Sequence, residues 1–178
     1  MNTVLFIWIG NNTPLYEWRT KCIRRAMEVY PDFNFKVITG LKSFFGFETI
    51  KLEPIFEAIK EYNVRPISDG HHMNFSDYAR YYWLSNHPNT LYLDTDTWCI
   101  KRMPIIPGLG NMEYEAIWNG EDLESIKRVL GQHNNKEILL HTSRLLSQIG
   151  TNLSEYFEHK PLWSKRYSRP DLEIFNPD

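Results

Sequence analysis

Val4-Leu5-Phe6-Ile7-Trp8-Ile9, closed by Gly10-Asn11-Asn12, is the stretch from which the fold can be read. An unbroken apolar run, rich in β-branched and aromatic side chains, suits a strand buried on both faces, as in a parallel sheet. Pro14 then fits the first turn of a helix reaching about Tyr30. Leu15, Trp18, Cys22, Ile23, Ala26 and Met27 recur at the spacing of one apolar helix face. Pro31-Asp32 ends that helix, and Phe33-Asn34-Phe35-Lys36-Val37-Ile38-Thr39 follows as a second strand, closed by Gly40. Strand, helix, strand with short links is the unit of an α/β fold on a parallel sheet.

Further along, Ile55, Phe56, Ile59 and Tyr62 predict a short helix beside Pro54. Ser76 reads as an N-cap, with Asp77 in the first turn of a helix running to about Asn86. His87-Pro88-Asn89 is a turn, and Thr90-Leu91-Tyr92-Leu93 is a buried strand leading into Asp94-Thr95-Asp96. Tyr114 to Trp118 predicts another strand, and residues 121–131 and 136–149 two more helices. From Asn152 onward there are aromatics but no period. No repeat, linker or low-complexity segment interrupts the chain, so residues 1–178 read as a single domain.

The 178 residues hold 42% hydrophobic and 24% charged side chains, which excludes a disordered chain, a collagen-like fibre and a coiled-coil rod. Ten Phe, ten Tyr and six Trp, 15% of the chain, can fill a core or offer flat platforms to bases and sugars. With 20 basic against 22 acidic residues, a net of −2, there is no global basic surplus of the kind nucleic-acid binding draws on. Any such patch would be local, at Arg24-Arg25 or Lys165-Arg166. Cys22 and Cys99 form no CxxC pair and read as reduced thiols. Met-Asn-Thr before a short apolar run is not a signal peptide, and no window approaches a membrane span. The expected location is the cytoplasm.

Asp94-Thr95-Asp96 carries the sharpest chemistry. In an open α/β sheet ligands collect beyond the carboxyl ends of strands. Extended backbone would put the two carboxylates on opposite faces, whereas a turn lets both converge on one cation. Hard oxygen ligands suit Mg²⁺ or Mn²⁺. The plainer reading is a solvated loop with two acidic turn residues. Asp77 and Arg80, three apart on one helix face, read as a helix salt bridge or as paired site residues. Trp8 is either a core tryptophan or, at the end of its strand, one wall of a cleft.

Three blocks together, Phe6-Ile7-Trp8-Ile9-Gly10, Ser76-Asp77-Tyr78-Ala79-Arg80-Tyr81 and Leu91-Tyr92-Leu93-Asp94-Thr95-Asp96-Thr97, resemble the DXD-motif glycosyltransferases of GT-A fold. That group includes mannosyltransferases, bacterial capsule and lipopolysaccharide sugar transferases, and the clostridial glucosylating toxins. The resemblance implies a Rossmann-like, mostly parallel sheet flanked by helices. Residues 1–100 would form the nucleotide-sugar-binding half and 101–178 the acceptor-side half. It implies sugar transfer from a nucleotide sugar, a UDP-sugar by preference, with retention of configuration. Trp8 would stack on the nucleobase, and Ile9 and Thr95 would line the donor pocket. Asp77 and Arg80 would hold donor sugar hydroxyls, with Arg80 near the diphosphate, and Tyr92 would touch donor phosphate or sugar. Asp94 would bind the ribose and metal-bound water, and Asp96 the Mn²⁺ or Mg²⁺ directly. His159, in His159-Lys160-Pro161-Leu162-Trp163-Ser164, would complete the metal shell, with His141 as the alternative. Trp118-Asn119-Gly120 would border the acceptor, which could be a glycan, a lipid-linked sugar, a protein or a modified nucleobase. The glycine-rich turn usual before the aspartates is replaced by His87-Pro88-Asn89-Thr90.

Two rivals use the same residues. Leu93-Asp94-Thr95-Asp96-Thr97 also satisfies the first motif of haloacid-dehalogenase-type phosphatases, with Asp94 as nucleophile and Asp96 as general acid. That motif usually sits on the first strand, however, and here more than half the chain precedes it. A non-enzymatic carbohydrate-binding domain would use the aromatics and tolerate substitution of both aspartates.

Overall fold

β1 (Thr3–Trp8) is buried along its length except at Trp8, which is half-exposed. It is flanked in parallel by β2 (Asn34–Thr39) and β4 (Thr90–Leu93), which is why its apolar run is continuous. The computed structural model describes residues 1–9, 15–62, 72–113, 115–131, 146 and 148–171, with side chains from residue 75 in the third helix. Alternate residues of β1 feed two cores. Leu5 and Ile7 join Ile38, Tyr92, Phe75 and Tyr78 on one face. Val4 and Phe6 join Val37, Leu91, Ile23 and Tyr30 on the other.

Among the described residues the main sheet has seven strands in the order β3-β2-β1-β4-β7-β6-β8. β3 (Glu48–Ile50) continues the parallel half. β7 (Ala116–Trp118) runs antiparallel to β4 and to β6 (Gly110–Met112), and β8 (Thr151–Asn152) pairs in parallel with β6. A small second sheet pairs β5 (Thr97–Cys99) with β9 (Phe157–His159), antiparallel. The α/β, mostly parallel architecture is as expected, and the strand at 90–93 lies where its sequence placed it.

Helices cover both faces: α1 (Glu17–Val29), α2 (Leu52–Ile59), α3 (His72–Asn86) and α4 (Leu123–Gly131). α1 and α2 have no side-chain N-cap, an omission worth about 1 kcal/mol. Their buried faces outweigh it: Cys22, Ile23 and Ala26 in α1, Ile55 and Ile59 in α2, with about 1.5–3 kcal/mol for each large aliphatic. Ser76 is not an N-cap. α3 begins a turn earlier, at His72, and Phe75 is already buried in helical conformation, its ring stacked 6.0 Å from Phe56. The strand expected from Tyr114 starts at Ala116, and Tyr114 lies outside the described residues. Most of the helix expected at 136–149 lies outside them too, as do Pro14 and Gly10. Cys22 and Cys99 are buried free thiols. Among the described residues no helix is long and apolar enough to cross a membrane.

Candidate active site

In the strand order, β1 leads outward to β2 and β3, while β4 lies on β1's other side. The carboxyl ends of β1 and β4 therefore flank a topological switch point, the crevice where open α/β sheets bind ligands. Trp8 closes β1 there, and Asp94-Thr95-Asp96 follows β4.

The aspartate segment is a turn, closed by the Thr97 amide donating to the Asp94 carbonyl at 3.0 Å. This brings the two carboxylates to one side. Asp94 Oδ1 accepts from the Tyr92 hydroxyl at 2.5 Å and from Arg80 Nη2 at 3.3 Å. Arg80, 5% exposed, also lies 3.4 Å from Asp77 Oδ1 and sits over the Tyr92 ring at 4.3 Å. Burial pushes the Asp94 and Asp77 carboxyls above the ordinary carboxylate range, and Arg80 pulls both back. Tyr92 is 2% exposed and donates its hydroxyl to Asp94, supporting that carboxylate from beneath.

Asp96 is 6% exposed. Its Oδ2 lies 3.0 Å from His159 Nε2 and 3.8 Å from Arg19 Nη1, while Oδ1 is buried with no hydrogen-bond partner among the described residues. β9 delivers His159 by pairing it with Thr97. The other ring nitrogen, Nδ1, lies 2.6 Å from Glu115 Oε1. Glu115 is buried just before β7, and its carboxyl is pushed up to about 7 by burial, which His159 opposes and Glu113, Asp94 and Asp96 reinforce. One donor atom each from Asp94, Asp96 and His159 lies within 4.8 Å of the others. Two carboxylates and an imidazole suit a divalent cation, and the orphaned Asp96 oxygen is an acceptor that such a cation would satisfy. The residues fit a metal.

Sequence reasoning missed two residues here. Arg19 leaves α1 between two indoles, 5.8 Å from the Trp8 ring centre and 4.5 Å from that of Trp18, and donates to Thr95 Oγ1 at 2.6 Å. Nothing in Glu17-Trp18-Arg19 marks it, because its partner is 76 residues away. Glu115 likewise belongs to no motif. Of the residues the sequence singled out, Trp8, Asp77, Arg80, Tyr92, Asp94, Thr95, Asp96 and His159 come together. Ile9 is buried in the core rather than exposed at the crevice. His141 lies outside the described residues. Trp118-Asn119-Gly120 does not border the crevice. Leu91 pairs with Trp118 and the Asn119 side chain binds the Thr90 amide, at the opposite end of β4.

No family model matches the chain, and no curated protein matches it. Solved structures do. The PaToxG glycosyltransferase superposes with a TM-score of 0.57 over 83% of this chain and 67% of its own, at 16% identity. A second transferase gives 0.52 over 83% and 85%, at 13% identity. The CTP:phosphocholine cytidylyltransferase of Streptococcus pneumoniae gives 0.51 over 93% and 97%, at 10% identity. The fold is GT-A. At such identities the likeness is one of fold, and it spans a glycosyltransferase and a cytidylyltransferase by name. Within the GT-A fold, the choice of reaction rests on the side chains at the switch point.

Proposed function

We propose that this chain is a metal-dependent glycosyltransferase that moves a sugar from a nucleotide sugar, a UDP-sugar by preference, to an acceptor. The observation that carries the reading is Asp96. A buried carboxylate with one oxygen orphaned, flanked by Asp94 and His159 at ligating distance, is built for a cation at the mouth of the switch-point crevice. A bound Mn²⁺ or Mg²⁺ would act as a Lewis acid on the diphosphate leaving group.

The protein's own residues have complementary roles. Asp94, Asp96 and His159 hold the ion, and Glu115 accepts from His159 Nδ1, which fixes the ring's orientation and frees Nε2 for the metal. Arg19, a quarter exposed beside Asp96, can meet diphosphate oxygens. Trp8 offers an indole at the crevice for base stacking. Asp77, the more exposed partner of Arg80, can accept from donor sugar hydroxyls. Thr95, which accepts from Arg19, borders the donor pocket. Retention of configuration rests on the sequence resemblance alone. The phosphatase reading fares worse, because its nucleophile would be Asp94, whose Oδ1 already accepts from Tyr92 and Arg80.

Titration calorimetry with UDP tests the reading. UDP should bind in the presence of Mn²⁺ and at least about tenfold more weakly in EDTA or with Asp96→Asn, the loss expected for one charge-assisted contact. UDP affinity indifferent to both would overturn it. Mass spectrometry after a screen of donor hydrolysis would then identify the sugar.

A further inference from the structure

The two short basic stretches that stand apart in sequence meet in space. Along α1, Lys21, Arg24, Arg25 and Glu28 fall at i, i+3, i+4 and i+7, a single stripe beside the buried face. Across from it, the 3-10 helix Leu162–Arg166 presents Trp163 and Arg166, with Tyr167 next. Together with Trp98 of β5 they line an open groove of about 380 Å³. It lies farther along α1 than Arg19 and shares no side chain with the carboxylate–histidine cluster.

The groove's charges are not mutually cancelled. Glu28, the one acid among its described lining residues, lies 3.6 Å from Arg25. Arg25 is fixed further by donating to the Cys99 and Ile100 carbonyls at 2.9 and 3.0 Å, with its guanidinium over Trp98. Lys21, Arg24 and Arg166 pair with no carboxylate among the described residues, and all three are exposed. In a chain of net charge −2, this is a segregated cationic surface. The rings are ordered as well. Trp163 meets Trp98 and Tyr167 edge-on, at 5.0 and 5.9 Å. Arg25 covers Trp98 and Lys21 covers Tyr167, whereas among the described residues no cation lies over Trp163.

We propose that this groove binds single-stranded nucleic acid, with phosphates on Lys21, Arg24 and Arg166 and a base against Trp163. Cations tracking a backbone beside an aromatic platform is the composition of single-strand sites. A neutral glycan would need acceptors for its hydroxyls, and among the described lining residues the one carboxylate, Glu28, already serves Arg25. An open groove of this volume takes a nucleotide unit while the strand continues over the surface. The site stands independently of the glycosyltransferase reading.

Fluorescence anisotropy of a short labelled oligothymidylate, measured in EDTA so that no metal bridges phosphate to Asp96, tests it. Binding should weaken with salt with a log–log slope of about −2, as three cation–phosphate contacts give. The double variant Arg24→Gln, Arg166→Gln should reduce the slope to about −0.7, and Trp163→Ala should weaken binding about tenfold. All three side chains are solvent-facing or half-buried, and circular dichroism would verify that each variant is folded. Absence of binding at low salt overturns the proposal. So does heparin competing as well as the oligonucleotide with Trp163→Ala silent, which would mean a generic polyanion surface, or preference for anionic vesicles or an acidic peptide.

Discussion

Asp96 gives one carboxylate oxygen to His159 and Arg19 and leaves the other sealed from solvent without a hydrogen bond. Such an atom forgoes a contact worth about 1–3 kcal/mol, so its persistence argues for a ligand. Glu115 belongs to the same account, since it grips the far side of the His159 ring at 2.6 Å. Glu115→Gln should keep the fold and weaken Mn²⁺ binding about 10–100-fold, the usual loss for a partner behind a histidine ligand. Electron paramagnetic resonance of free Mn²⁺ would read this directly, and unchanged affinity would reduce Glu115 to a buried acid with no part in the site.

Among the elements, the junction of α3, β4 and β7 depends on Asn119, which is fully buried. Its carbonyl accepts from the Thr90 amide at 2.8 Å, and its amide donates to the Leu84 and His87 carbonyls at 2.9 and 2.7 Å. It therefore finishes the last turn of α3 and starts β4 in register. Asn119→Leu should cost about 2–4 kcal/mol, because these buried backbone groups lose their partner. The urea midpoint should fall with an unchanged denaturant slope. Gly120, next in the chain, has φ +53°, and a Cβ there would lie 2.3 Å from the Pro107 carbonyl oxygen. β1 and β4 were legible because each is an apolar run buried on both faces, and β2 because its buried end, Val37-Ile38-Thr39, follows a helix and Pro31-Asp32. β3, β5, β6, β8 and β9 have two or three residues each, too few to express a period, and only pairing with distant partners makes them strands. The site divides in the same way. Asp94 and Asp96 announce themselves by spacing after a strand, whereas Arg19 and Glu115 acquire meaning only through contacts that local sequence does not encode.

For the whole molecule, the carboxylate–histidine cluster ties the turn after β4 to β9, near the other end of the described chain. A cation there should act as a cross-brace. At a free Mn²⁺ concentration a hundredfold above its dissociation constant, stability should rise by about 2.7 kcal/mol. That is roughly 5–10 °C in melting temperature for a chain of this size. Differential scanning calorimetry should show the rise, its reversal by EDTA and its loss in Asp96→Asn. An equal rise in that variant would place the ion elsewhere. The same brace has a consequence in time. His159 follows Asp96 by 63 residues, an interval of roughly 3–13 s at ribosomal speeds of about 5–20 residues per second. While the nascent chain lengthens through that interval, the two aspartates have been made but their histidine has not. On the proposed metal-dependent reading, ion capture is a late event in biogenesis, and an ion held tightly would report a polypeptide completed at least as far as β9.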